Sequence, residues 1–358
     1  MCELRIMKQS LHHNIRLVRR LAGSAEVIGV VKGNGYGLGL LELAGHLVDY
    51  GVRRLAVSEL ADALELKKYG VPAEVMLLTP LYDPTELEQA LCAGAVLCID
   101  SRAGARAAEQ AAVRLGINGK AQLCVDTGFG RYGFCCDDAQ EVWESAREMT
   151  HFRIVGTYSH LSRASARDSG YTMEQYRRFL ALCEALKEGG IDPGVRHLAD
   201  SYAMLRYPEL RLDAVRIGSA FLGRLPFTDQ WGFERIGTLS AKVQEVRTLQ
   251  AGSRVGYGGG TVTEHPTRIA VVGAGYTHGL GMTREKPAAT GLRAALRLLR
   301  GGRKQTQKKP ESPYPVLGPV GMCATVLDVS GGAVQVGDRV ELPVNPLFVS
   351  PTVPRHYV

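Results

Sequence analysis

The sequence predicts an α/β chain, a (β/α)8 TIM-type barrel followed by a mainly β C-terminal domain. Three observations lead there. Between Ser10 and Gly223, short apolar runs alternate with helix-period stretches about eight times. The apolar runs are nearly continuous over four to six residues, as strands buried on both faces require. After Gly223 helical periodicity fades, and β-rich runs punctuated by Gly and Pro take over. An open doubly wound sheet is the competing arrangement; the number of strand–helix units favours closure.

In chain order, barrel strands are predicted at 27–31, 54–57, 75–78, 95–99, 121–125, 154–158 and 214–218. Helices are predicted at 41–48, 58–68, 102–115 and 173–186, with Ser58 as the N-cap of the second. The β domain is predicted from runs at 237–248, 268–272, 322–329 and 339–342. The boundaries expected are 8–225 for the barrel and 226–358 for the β domain. A basic loop insertion is expected at 284–314, with Leu292, Ala295, Leu296 and Leu299 marking a short amphipathic stretch.

Composition narrows the function classes. The chain has 358 residues, 45% hydrophobic and 22% charged, which is ordinary for a globular protein and unlike a disordered one. It holds no apolar run of the ~18 residues a membrane-spanning helix needs. Its N-terminus carries charges where a signal peptide needs an apolar core. The eight cysteines form no CxxC pair, which fits reduced thiols in a cytoplasmic protein and predicts no metal site. The formal charge of +7 is local: Arg293, Arg297, Arg300, Arg303, Lys304, Lys308 and Lys309 lie between 288 and 310, where there is no acid. That stretch contains no aromatic residue, so a solvated loop is favoured over a nucleic-acid surface.

The most informative stretch is Val30-Val31-Lys32-Gly33-Asn34-Gly35-Tyr36-Gly37-Leu38-Gly39. Lys32 stands at the C-terminal end of the first barrel strand, the end where barrels build active sites. Desolvation there lowers an amine's pKa and suits it to Schiff-base chemistry. On the lysine alone, a strand-end side chain reaching solvent is the simpler reading. The whole stretch, however, resembles the pyridoxal-phosphate motif of the alanine racemase family. Further motifs follow in family order from about Ser10 to Arg355.

That resemblance implies specific roles. Lys32 matches the lysine that carries pyridoxal 5'-phosphate and serves as one of two racemisation bases. Tyr36 matches a tyrosine on the cofactor phosphate. Val125-Asp126-Thr127-Gly128-Phe129-Gly130-Arg131-Tyr132-Gly133 resembles a DTGMGRLG-like segment, whose arginine, here Arg131, binds near the cofactor phenolate and the substrate carboxylate. His160 matches a histidine packed on the pyridine ring. In Arg196-His197-Leu198-Ala199-Asp200-Ser201, which resembles HxANS, His197 supports the site and Ser201 binds phosphate. In Val215-Arg216-Ile217-Gly218-Ser219, which resembles VRPGI, Gly218 and Ser219 approach the phosphate and Arg216 faces the ring nitrogen. The plainer alternative for Arg216 is a buried ion pair with an acid such as Asp213. Tyr257, in a VSYG-like turn, matches the second base, contributed across a homodimer to the partner's site. Tyr276 and Met322 match substrate-side residues. Residues 1–7 are expected to join the β domain.

The departures are as informative. Cys124 replaces a lysine that in many relatives becomes carbamylated and positions the arginine. Asp200 replaces asparagine, His278 and Cys323 each replace aspartate, and Pro351 replaces a tyrosine that narrows the substrate pocket. The resemblance therefore implies racemisation of a small amino acid, alanine by default, for the peptidoglycan of a cell wall. Serine or broad specificity, or cofactor binding with little racemase activity, are the alternatives. The late start relative to typical members also fits a cytoplasmic part of a larger, membrane-attached parent.

Overall fold

A computed structural model of the chain describes residues 2–166, 168–226, 229–283 and 313–358. The chain divides into two compact units, one of residues 9–235 and one of residues 1–8 with 236–358. The basic segment predicted at 284–314 lies, apart from its last two residues, outside the described residues.

The elements of the first half are β1 (Glu3–Ile6), α1 (Lys8–Ala22), β2 (Glu26–Val30), α2 (Lys32–Tyr36), α3 (Leu40–Asp49), β3 (Arg54–Val57), α4 (Leu60–Lys68), β4 (Glu74–Leu77), α5 (Pro84–Cys92), β5 (Val96–Ile99), α6 (Arg102–Leu115) and β6 (Gly119–Asp126). Next come β7 (Phe134–Cys135), α7 (Ala139–Glu148), β8 (Phe152–Tyr158), α8 (Gly170–Glu188), β9 (Val195–His197), α9 (Ser201–Arg206) and β10 (Ala214–Ile217). The β-rich part adds β11 (Thr238–Leu249), β12 (Arg254–Val255), β13 (Thr261–Val262), β14 (Thr267–Val272), β15 (Thr325–Asp328), β16 (Arg339–Pro343) and β17 (Arg355–Tyr357).

In the first unit, eight parallel strands run in the order β2, β3, β4, β5, β6, β8, β9, β10. Pairing of β10 with β2 closes the ring. The predicted barrel is therefore present. Ile28, Val30, Ala56, Met76, Val96 and Ala214 fill its interior, so it is a packed core and not a pore. The helices turn apolar stripes toward the strands; on α1, Leu11, Ile15 and Val18 recur at the helical period and are fully buried.

Two local features differ from expectation. Helix α4 begins at Leu60, and its N-cap is Glu59 in extended conformation with no side-chain capping bond, so Ser58 does not cap it. The seventh barrel strand, β9, is not among the predicted runs. It has three residues, and two of them are polar: Arg196 pairs with Asp213 at 2.8 Å and His197 is buried at the rim. Short length and polar content remove the apolar signal.

The second unit is built on β11, which pairs with β1, β14 and β16. β17 lies parallel to β1 and β15 extends the sheet beyond β14. Leu4 and Ile6 of β1 are fully buried, which ties the N-terminus into this sheet. A small β12–β13 hairpin carries a glycine-rich turn at its tip.

Candidate active site

Because the barrel strands are parallel, β2, β6, β8, β9 and β10 end on one rim. Immediately beyond β2 the chain enters α2, where Gly33, Asn34, Gly35 and Tyr36 have φ of 63°, 53°, 61° and 54°. This is a single left-handed turn, and left-handed geometry costs an L-residue roughly 1–2 kcal/mol. Asn34 offsets part of that cost, since its Oδ1 accepts the Leu40 amide at 3.0 Å. The turn leaves Lys32 half-buried at the rim and sets the Tyr36 phenol against Gly218. A Cβ on Gly218 would lie 2.4 Å from Tyr36 Oη, so the close approach requires glycine.

Ser201, buried at the start of α9, accepts at its Oγ from the amides of Gly218 and Ala220, both at 3.3 Å. Asp200 caps the same helix by accepting from Tyr202 and Ala203 amides, both at 2.9 Å. Capping needs only an oxygen acceptor, so aspartate serves here where asparagine was expected. Tyr36, Ser201 and the 218–220 backbone thus surround one small polar cradle.

Arg216 lies beside it and is only 5% exposed. Its Nη1 donates to the His197 carbonyl at 2.7 Å and to His197 Nδ1 at 2.8 Å; its Nη2 donates to the Ser159 carbonyl at 2.6 Å. Asp213 pairs with Arg196 instead, and no carboxylate pairs with Arg216 among the described residues. Burial lowers its pKa, but a guanidinium starts so high that it stays charged. The Tyr158 ring stacks on His197 at 5.3 Å and lies 5.1 Å from the Arg216 guanidinium.

Both histidines are held neutral. Burial and the Arg216 charge push His197 well below its ordinary value. Burial, then Arg216, Arg131 and Lys32, push His160 down to about 3. Three cations around neutral imidazoles make a rim suited to an anionic ligand.

The loop after β6 is wound around one carboxylate. Asp126 accepts the amides of Gly128, Phe129 and Gly130 at 2.8, 2.7 and 2.9 Å. Tyr171 Oη donates to the Gly128 carbonyl at 2.8 Å, and the Cys124 thiol to the Tyr132 carbonyl at 3.6 Å. These bonds fix where Arg131 starts. A pocket opens beside it, lined in part by Leu78, Cys124, Tyr132, Tyr158 and His160.

Family models decide what this arrangement belongs to. The chain matches the "Alanine racemase, N-terminal domain" over residues 6–226 and the "Alanine racemase, C-terminal domain" over residues 236–346. The chain belongs to the alanine racemase family. Among relatives, the alanine racemase of Carboxydothermus hydrogenoformans is 34% identical over 277 residues, covering 76% of this chain and 74% of that protein. The alanine racemase of Clostridium tetani is 30% identical over 340 residues, covering 93% of this chain and 83% of its own. Among solved structures, alanine racemase from D-cycloserine-producing Streptomyces lavendulae superposes with a TM-score of 0.86 at 25% identity, covering 100% of this chain and 97% of that one. Biosynthetic alanine racemase from Pseudomonas aeruginosa gives 0.82 at 26% identity, covering 100% and 99%. The protein is thus an amino-acid racemase, an isomerase.

For an alanine racemase family member, the barrel rim gathers Lys32, Tyr36, Arg131, His160, His197, Ser201, Arg216, Gly218 and Ser219 onto the ends of five strands. Tyr257, Tyr276 and Met322 lie in the other unit. Tyr257 opens the turn between β12 and β13 and is 83% exposed. The Tyr276 amide donates to the Gly321 carbonyl at 2.9 Å and Thr277 Oγ1 to the Met322 carbonyl at 2.7 Å, so those two segments are adjacent. Sequence reasoning missed Tyr158 and Asp126 as site residues. Tyr158 is the last residue of β8 and His160 follows two positions later, beyond the strand end; the place of Tyr158 inside an apolar run hid it.

Proposed function

We propose that this chain racemises alanine with pyridoxal 5'-phosphate, acting as a homodimer in the cytoplasm and supplying D-alanine for peptidoglycan. What carries the reading is the buried Arg216: it is cationic, has no acid partner among the described residues, and lies beside a cradle of Tyr36, Ser201 and glycine backbone. Those residues fit the cofactor. The cradle offers hydroxyls and amides to a phosphate, and the rim offers cations to its charge. When bound, pyridoxal phosphate supplies the electron sink that makes a substrate α C–H acidic.

The chain's own residues do the rest. Lys32 Nζ holds the cofactor and takes or returns the α-proton on one face. Tyr257 Oη of the partner copy does so on the other, and its exposure on a projecting turn suits that task. Arg216 offers the ring nitrogen a hydrogen bond but no proton, because a guanidinium does not give its proton up. By withholding a proton there, Arg216 would favour prompt return of the proton to the substrate carbon. Arg131 takes the substrate carboxylate in its fork. Neutral His160 adds packing without adding charge. General acid–base transfer of this kind contributes about 10² to 10⁴ in rate.

Chiral chromatography of L-alanine and L-serine incubated with the protein and added pyridoxal phosphate tests the reading. Formation of D-alanine, absent in Lys32→Ala and Tyr257→Phe, supports it. Formation of D-serine in preference would move the substrate to serine. Neither product, with the cofactor bound, would overturn it.

A further inference from the structure

We propose that Phe129 is a positioning residue, an aromatic seat that orients Arg131 by the flat face of its guanidinium and leaves the N–H edges open for a carboxylate. The proposal rests on the racemase reading and deepens it. Arg131 Cζ lies 4.5 Å from the Phe129 ring centroid and 5.6 Å from that of Tyr132. No carboxylate pairs with Arg131 among the described residues. The nearest acid along the loop, Asp126, is occupied by three backbone amides. The residue beneath the loop, Cys124, is a thiol bonded to the Tyr132 carbonyl and supplies no charge.

The physical difference between an acid and a ring is which part of the guanidinium each uses. A carboxylate grips the N–H fork, the same edge a substrate carboxylate needs. An aromatic ring attracts the cation through the guanidinium's flat face and spends none of its five donors. Phe129 is itself held through its backbone and through its ring. Its backbone amide is held by Asp126 at 2.7 Å, and its ring packs on His160 at 5.0 Å. Arg131, Phe129 and His160 therefore touch in sequence beside the pocket, the two rings tilted by 44°, and His160, being neutral, does not repel the cation at its far end. Phe129 is 37% exposed, so its truncation opens no core cavity.

The test uses the full chain, both free of cofactor and loaded with pyridoxal phosphate. Arg131 is modified with phenylglyoxal, its modification rate is read by peptide mass spectrometry, and protection by propionate gives the dissociation constant of a simple carboxylate. Phe129→Leu is expected to weaken propionate about two- to fivefold in both forms, the range of an exposed cation–π contact. The amino-acid KM should rise by a similar factor, with kcat within about twofold. Phe129→Tyr, which keeps the ring, should restore both. An unchanged propionate constant in Phe129→Leu, equal damage from Phe129→Tyr, a fall in kcat at constant KM, or no saturable protection in the wild type would each overturn the proposal. The two readings separate cleanly. Wild-type racemisation with no effect of Phe129→Leu overturns the aromatic seat alone. Propionate behaviour as expected in a protein that never racemises keeps the seat and overturns the racemase reading.

Discussion

Gly218 and His160 show how much of the site is decided by single residues. A methyl on Gly218 would fall 2.4 Å from Tyr36 Oη, so Gly218→Ala crowds the Tyr36 phenol. Overpacking of this kind costs about 1–3 kcal/mol. Urea unfolding should show that loss, and titration with pyridoxal phosphate should show weaker binding. His160 makes a prediction in pH. Its pKa falls from 6.5 unfolded to about 3 folded, so between those values the unfolded chain binds more protons. Stability from this group is complete above pH 6.5 and is lost as pH falls toward 3. Urea unfolding at pH 7 and pH 5 should show a smaller loss for His160→Gln than for the wild type. In NMR spectra the His160 and His197 imidazoles should not titrate between pH 5 and 8, because both are pushed below that range.

Among the elements, α2 is where local strain and function meet. Two non-glycine residues, Asn34 and Tyr36, hold left-handed φ, and the Asn34 side chain ties the turn to α3. Asn34→Ala loses that bond and the tolerance of asparagine for this geometry; a destabilisation of about 1–2 kcal/mol is expected by thermal or urea unfolding. Asn34→Gly should lose less, since glycine adopts the geometry freely.

The elements also show what was legible in the sequence. Seven barrel strands were readable because each is an apolar run, and their number pointed to closure. β9 was not, because Arg196 and His197 are there for an ion pair and for the site. Ser58 read as a cap by residue type, yet capping depends on where the backbone turns, and it turns at Glu59. Lys32, Arg131 and Arg216 were legible only through their motifs, since each alone reads as an ordinary cation. The Asp126-centred loop and the Phe129 seat were not legible at all, because they depend on hydrogen bonds and ring distances that spacing does not encode.

The two proposed bases belong to different units of the chain. Lys32 belongs to the barrel and Tyr257 to the β-rich unit, and the proposal takes the two bases from different copies. Mixing Lys32→Ala chains with Tyr257→Phe chains tests this directly. Each variant alone should be inactive. A heterodimer with bases shared across the two-fold axis has one intact site, so random mixing should restore about a quarter of wild-type activity. No restoration, in a mixture shown to exchange subunits, would place both bases in one copy.

On the proposed function, this barrel rim exchanges the α-proton of alanine at Lys32. Proton NMR of L-alanine in D₂O, with added pyridoxal phosphate, reads that exchange without depending on any product. Loss of the α-proton signal with the wild type, and its persistence with Lys32→Ala, is the predicted result. An α-proton that persists with the wild type while the cofactor is bound, or one that disappears equally fast with Lys32→Ala, would contradict the account.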